Sequence, residues 1–106
     1  MKLNVLPGRA AFGSVFLLIS TGPAAAQGDM ELGRYLASEC LTCHRGATAG
    51  STIPNIFGRG EGQLAELIRA YRDKKLPNPV MQNVAGRLND EEIASLALYF
   101  SRTRTP

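Results

Sequence analysis

Residues that commonly serve as metal or cofactor ligands are scarce in this chain of 106 residues. It contains one histidine, two cysteines and no tryptophan. All three of those ligand-type residues lie within Cys40-Leu41-Thr42-Cys43-His44. A protein zinc site takes about four ligands, so this segment does not complete one by itself. The chain also shows no strand-like alternation and no internal repeat, and its length allows one small domain.

Long apolar runs are absent as well. The N-terminal region carries Lys2 and Arg9, then an apolar run over residues 10–19, then small residues up to Ala26. The run is shorter than the roughly 20 residues of a membrane-spanning helix, and Gly22-Pro23 interrupts it. This order predicts a secretory signal peptide over residues 1–26, hence a periplasmic protein with no stable membrane insertion after cleavage. No arginine pair precedes the run, which favours general secretion.

The charge that remains after cleavage is small. Residues 27–106 keep 10 of the 12 basic and all 9 acidic residues, which leaves a net charge of +1. Acidic and basic residues are interspersed, so no basic surface for nucleic acid is predicted. A domain of this size has a marginal hydrophobic core and usually needs additional stabilisation.

The apolar spacing predicts an all-α domain of about three helices. The first begins after a candidate N-cap at Asp29 and runs into the cysteine segment. The second spans about 62–75, with an ion pair expected between Arg69 and Asp73. The third follows an Asn89 cap and continues to about 102.

Two loops separate the predicted helices. Residues 45–61 are rich in glycine and small polar residues, and Leu76-Pro77-Asn78-Pro79-Val80-Met81 contains two prolines. Because proline lacks an amide donor and restricts the residue before it, we expect the second segment to be an extended loop that presents Val80 and Met81.

The Cys-x-x-Cys-His segment has four interpretations. A zinc site would lack further ligands, and a thioredoxin-like redox pair would need a βαβ context. A structural disulfide would leave His44 unexplained. The fourth interpretation, covalent haem c attachment, accounts for every residue: Cys40 and Cys43 form thioethers with one porphyrin, and His44 becomes an axial iron ligand. Export favours it, because thioether bonds remove both thiols from oxidation.

A second axial ligand has few candidates. Met30 lies ten residues before Cys40, about 15 Å away along one helix, and cannot reach back over the iron. Met81 lies on the proline-rich segment and can approach from the opposite face. A lone methionine otherwise fills gaps in a core. We predict that Met81 is the sixth ligand, which would saturate the iron and suit electron transfer.

The chain resembles the class I c-type cytochromes. The resemblance covers nearly all of residues 27–106: the first helix with Gly33, the Cys40–His44 motif, the segment 53–59, the methionine segment and a last helix with Tyr99-Phe100. It implies the class I cytochrome c fold around one haem, with Gly33 near Tyr99 or Phe100 where the first and last helices cross. It also implies that the Pro54 carbonyl accepts a hydrogen bond from the other nitrogen of His44 and so fixes the imidazole ring.

Residues 71–85 and 88–100 are similar to the haem subunit of flavocytochrome c sulfide dehydrogenase. The resemblance implies a monohaem, non-catalytic electron-transfer protein that accepts electrons from a redox partner such as a flavoprotein dehydrogenase subunit. Two alternatives remain open at this point. The chain could be a free soluble electron carrier, or a haem sensor in which Met81 binds weakly and the distal side is open to ligands.

Overall fold

The computed structural model describes residues 2–4, 8–22, 25–46 and 50–105. Four helices make up its regular structure: α1 (Met30–His44), α2 (Glu61–Arg72), α3 (Pro79–Ala85) and α4 (Asp90–Arg102). No strand occurs in these ranges, and the predicted all-α class is confirmed. Residues 8–22 form no helix and are exposed, while residues 1, 5–7, 23 and 24 of the predicted signal peptide lie outside the described residues. None of the described helices has the length and apolar character needed to cross a membrane.

Helix α3 corrects the sequence prediction of an extended loop. Asn78 is its N-cap and accepts a hydrogen bond from the backbone N–H of Met81 at 3.0 Å. Pro79 occupies the first turn, where the missing amide hydrogen has no helical partner in any case. The two prolines therefore frame the start of a short helix, and the count rises from about three helices to four in the described chain.

Helices α1 and α4 cross at Gly33. A Cβ atom built on Gly33 would overlap the backbone carbonyl oxygen of Ser95 and lie 2.8 Å from Cβ of Tyr99. Only glycine allows the two backbones to approach this closely. The expected proximity of Gly33 and Tyr99 is thus confirmed, and it fixes where the cysteine-bearing helix lies relative to α4.

Both crossing helices have well-formed N-termini. Asp29 caps α1 by accepting from the N–H of Leu32 at 2.7 Å, and its own N–H donates to the hydroxyl of buried Ser95 at 2.9 Å. Asn89 and Glu92 form the capping box of α4, with reciprocal bonds of 2.8 and 2.9 Å. Both predicted caps are confirmed, and the Ser95 hydroxyl additionally ties the start of α1 to α4.

Helix α2 ends in a Schellman motif. Lys74 takes a left-handed backbone with φ of 59°, and the N–H groups of Lys74 and Lys75 donate to the carbonyls of Tyr71 and Ala70. Arg72 forms ion pairs with Asp73 at 3.1 Å and with Asp90 of α4 at 2.7 Å.

The expected Arg69–Asp73 pair is wrong. Arg69 instead approaches Asp90 at 3.9 Å, while Asp73 pairs with its sequence neighbour Arg72. The acidic partner of α2 therefore comes from the start of α4, which a helix-local charge pattern does not reveal.

The hydrophobic core forms where α1 and α2 each pack against α4. Its buried members come from these three helices and from the loop before α2: Ala37, Phe57, Leu64, Ala65, Ile93, Leu96, Ala97 and Phe100. Helix α3 packs against α2, and its backbone does not come close to that of α1. The core thus joins α1 and α4 directly, while α3 lies at its side against α2.

Candidate cofactor-binding site

The end of α1 carries three of the predicted site residues. Cys40 is partly buried against the core, whereas Cys43 is exposed, and both thiols are free. Burial raises the pKa of the Cys40 thiol to about 11, and the neighbouring Glu39 carboxylate adds to the increase. His44, the last residue of the helix, is 9% exposed. A single helix end thus presents one shielded thiol, one exposed thiol and a buried imidazole.

The imidazole of His44 is oriented by the following loop. Its Nδ1 lies 2.7 Å from the backbone carbonyl oxygen of Pro54. A carbonyl oxygen only accepts hydrogen bonds, so Nδ1 carries the proton in this arrangement. In the neutral imidazole the other nitrogen, Nε2, then carries the lone pair, and it makes no hydrogen bond to any described residue. This is the tautomer and orientation that a histidine needs in order to ligate a metal.

Residues beyond Pro54 hold its carbonyl in place. Asn55 Oδ1 accepts from the N–H of Phe57 at 2.9 Å. Phe57 is buried and meets the ring of Phe100 edge to face, with 5.2 Å between centroids. The N–H of Gly58 then donates to the carbonyl of Phe100 at 2.9 Å.

The loop is therefore fastened to the end of α4 directly after Pro54. The sequence pattern included Phe57 only within the segment 53–59 and did not predict its attachment to Phe100. The one signal available was that Ile53, Ile56 and Phe57 are the large apolar residues of a loop rich in glycine and small polar residues.

Met81 lies on a separate element. It is the third residue of α3 and is partly buried. The backbones of α3 and α1 do not approach each other closely, so the two predicted iron ligands belong to separate elements. Pro54 and the end of α1 are brought together, whereas Met81 lies on a helix that packs on α2.

A cleft opens between α1 and α3 beside Cys40. Its apolar lining consists of Leu36 from α1, Val84 from α3, Leu88 from the connection that follows and Leu96 from α4. Leu36, Cys40 and Leu88 pack against the core but remain partly exposed. Their apolar surface is what an additional hydrophobic group would cover.

The donor set fits haem c. Two free thiols three residues apart, an imidazole with its Nε2 lone pair available and a thioether on a separate element supply both the covalent and the axial bonds of such a group. Among the residues described, no three His, Cys, Asp or Glu side chains converge as a metal-ion site.

Comparison with known proteins identifies the family. No protein-family model matches the chain. It is 35% identical over 79 residues to cytochrome c-554(548) of Halomonas halodenitrificans, a match that covers 70% of this chain and 95% of that protein. The chain belongs to the class I c-type cytochromes. Its cofactor is accordingly haem c, and the family comprises electron-transfer proteins rather than catalytic enzymes.

Two further relatives are much longer than this chain. Cytochrome c4 of Pseudomonas aeruginosa is 34% identical over 84 residues, which cover 76% of this chain and 41% of that protein. The thiosulfate dehydrogenase electron acceptor of Stutzerimonas stutzeri is 31% identical over 68 residues, which cover 59% of this chain and 32% of that protein. The matched region thus spans less than half the length of both relatives.

Proposed function

We propose that this cytochrome is a periplasmic electron-transfer protein with one haem c, attached through Cys40 and Cys43 and ligated by His44 and Met81. The observation that carries the proposal is the 2.7 Å contact between His44 Nδ1 and the Pro54 carbonyl oxygen, which leaves Nε2 available on the same helix end as the two thiols. When bound, the haem supplies one-electron redox chemistry.

The residues of the chain would contribute positioning and shielding. Pro54 keeps the His44 ring in one tautomer and orientation, which also raises its basicity as a ligand. The apolar residues around Cys40 exclude water from one edge of the site. With ligands from both α1 and α3, no iron position would remain open for a substrate, so the site suits passage of an electron rather than bond-making chemistry.

The ligation is tested by the visible spectra of the ferric and ferrous holoprotein. Wild type should be low-spin and show the methionine-to-iron charge-transfer band at the red edge of the ferric spectrum. Met81→Ala should abolish that band. The matched control is Met30→Ala, because Met30 lies at the exposed start of α1 and should leave the spectrum unchanged.

The same spectra can also reject the proposed ligation. A high-spin wild type, or a band that survives in Met81→Ala, would reject His44/Met81 ligation. A high-spin protein that binds carbon monoxide tightly in the ferrous state would favour the sensor alternative instead.

We further propose that the electron donor is a dehydrogenase of reduced sulfur compounds. The relative named as a thiosulfate dehydrogenase electron acceptor supports this class of donor. The resemblance of residues 71–85 and 88–100 to the haem subunit of flavocytochrome c sulfide dehydrogenase supports a flavoprotein partner acting on sulfide. Both partners would deliver electrons one at a time to the same ferric haem.

Stopped-flow reduction of the ferric cytochrome distinguishes these donors. One arm uses a sulfide-oxidising flavoprotein with sulfide, and the other uses a thiosulfate dehydrogenase with thiosulfate. Reduction at least tenfold faster in one arm than with the substrate alone would identify the partner. Equally slow reduction in both arms would contradict a dehydrogenase partner and favour a free carrier.

Residues 1–26 are proposed to be a cleaved signal peptide. In support, the first of the described residues that pack closely on the helices are Gly28, where a Cβ atom would lie 2.6 Å from the Ala94 carbonyl oxygen of α4, and Asp29, the cap of α1. The intact mass of the exported protein should correspond to a chain that begins at Gln27 and carries one haem. A retained leader would contradict the proposal, and a second haem would contradict the monohaem assignment.

A further inference from the structure

Gln82 forms two hydrogen bonds, one through its side chain and one through its backbone N–H, to the residues that precede the proposed methionine ligand. Its side-chain Nε2 donates to the carbonyl oxygen of Leu76 at 2.9 Å, across the proline-containing turn that precedes α3. The N–H of Asn78 donates to that same carbonyl at 3.1 Å, and the backbone N–H of Gln82 donates to the carbonyl of Asn78 at 2.8 Å. Residues 76–82 therefore form a closed hydrogen-bonded ring that contains Met81.

This ring matters because the first turn of α3 has little other support. An isolated helix of seven residues is far too short to persist in water. Among the helices it packs only against α2, and Val80, next to Met81, is 67% exposed. The direction of the Met81 side chain consequently depends on how firmly the first turn of α3 is fixed to the chain before it.

Two side chains fix that turn. Asn78 Oδ1 accepts from the N–H of Met81 itself at 3.0 Å, as an N-cap does in many helices. The Gln82 amide acts differently, because it reaches backwards over the turn and its hydrogen bond is partly buried. Its neighbour Asn83 is exposed, and none of the side-chain hydrogen bonds found within residues 50–105 involves it.

We propose that Gln82 is a positioning residue for the Met81 thioether, acting through its hydrogen bond to the Leu76 carbonyl. Without this bond the segment 76–82 opens more readily, and Met81 spends a larger fraction of time away from the metal. This inference rests on the proposed His44/Met81 ligation and extends it to the residue that keeps the ligand in place.

The experiment compares exogenous ligand binding by ferric holoprotein variants. Imidazole competes with the methionine for its position, so its apparent affinity reports how often Met81 is absent. Gln82→Ala removes the donor, and Gln82→Glu preserves the side-chain shape while presenting a carboxylate, which only accepts at neutral pH. Both should bind imidazole roughly two- to tenfold more tightly than wild type, the range that one hydrogen bond corresponds to. Both should also weaken the red-edge charge-transfer band.

Asn83→Ala is the matched control, since it changes an exposed polar residue in the same short helix. It should keep wild-type imidazole affinity and the full band. The midpoint of guanidinium unfolding, followed by circular dichroism, shows whether any variant has simply lost its overall fold.

Three outcomes overturn the inference. Wild-type imidazole affinity in both Gln82 variants, with the band intact, would show that Gln82 does not position the ligand while leaving the proposed ligation standing. Equal changes in Asn83→Ala would assign the effect to α3 in general. Absence of the band from the wild-type protein would contradict the His44/Met81 ligation itself, and the positioning role of Gln82 would fall with it.

Discussion

Where α1 crosses α4 the two helices touch through their backbones at Gly33 and Ser95, whereas α3 is fastened by side-chain hydrogen bonds from Asn78 and Gln82. The crossing lies next to a continuous core, and among the helices α3 packs on α2. The same domain thus contains one region fixed by dense packing and another fixed by packing on one helix and a few polar contacts.

This difference divides the proposed haem site. The thiols, His44 and the loop that orients it belong to the packed region, because α1 and Phe57 are both anchored on α4. Met81 belongs to the lightly supported region. Regions with few buried contacts open at lower free energy than the core. We therefore expect α3, with Met81, to unfold locally before the region around His44 does.

The largest loss of stability is expected from Gly33→Ala, which adds a methyl group where α1 and α4 cross. The new methyl group would meet the Ser95 carbonyl and Cβ of Tyr99, so α1 and α4 must separate. Overpacking of this kind costs about 1–3 kcal/mol of unfolding free energy. Guanidinium denaturation of the holoprotein measures it.

Gly62→Ala provides the control for that change. Gly62 lies in α2, with open space where a Cβ would be placed. Alanine there should therefore raise the unfolding free energy, by at most about 1 kcal/mol. If Gly33→Ala were as stable as wild type, the close crossing would not be a constraint and the comparison between the two regions would fail.

Asn89→Ala tests the start of α4 within the packed region. It removes the side-chain oxygen that accepts from the N–H of Glu92, while the backbone bond from Asn89 to the Glu92 carboxylate can persist. The expected loss is about 1 kcal/mol, measured by the same denaturation. Asn83→Ala, an exposed asparagine that caps no helix, should change stability by much less.

Lys74→Gly tests the connection from α2 to α3. Lys74 adopts φ of 59°, a conformation that costs a residue with a Cβ atom roughly 1 kcal/mol. Glycine should therefore raise the unfolding free energy by somewhat less than that amount, whereas Lys75→Gly should bring no gain. A loss of stability in Lys74→Gly would mean that the lysine side chain contributes more than its backbone costs.

The smallest effect concerns the ion pair that links α2 to α4. The Arg72 guanidinium donates to Asp90 and holds the pKa of that exposed carboxyl below its ordinary value. A carboxyl with a lowered folded-state pKa stabilises the fold above its unfolded pKa, about 4, and this contribution disappears as pH falls through the lowered value.

Asp90→Asn should accordingly lower the melting temperature slightly at neutral pH, and the difference from wild type should shrink below about pH 4. Glu91→Gln is the control, because Glu91 shares the negative charge at the helix start and forms no ion pair within the described chain. A difference from wild type that stayed constant with pH would exclude the Arg72 pair as its source.

Local patterns allowed much of the fold to be predicted. The apolar spacing of α1, α2 and α4, the Asp29 cap and the Asn89 capping box depend on residues within a few positions of one another, and the structure confirms them. Helix α3 was missed because proline at a first helical turn has the same sequence signature as proline in a loop. The expected ion pair was wrong because α4 supplies a competing carboxylate at Asp90.

The sequence by itself determined the chemistry of this protein: the Cys40–His44 spacing predicts covalent haem attachment, and the family comparison confirms a c-type cytochrome. That spacing is local and needs no fold to be recognised. Only the tertiary structure decided how the site is supported. It brings Pro54 to His44 through the Phe57–Phe100 contact and places Gln82 across the turn before Met81. These arrangements depend on which surfaces pack together, and the pairing of distant surfaces is not encoded in any short pattern.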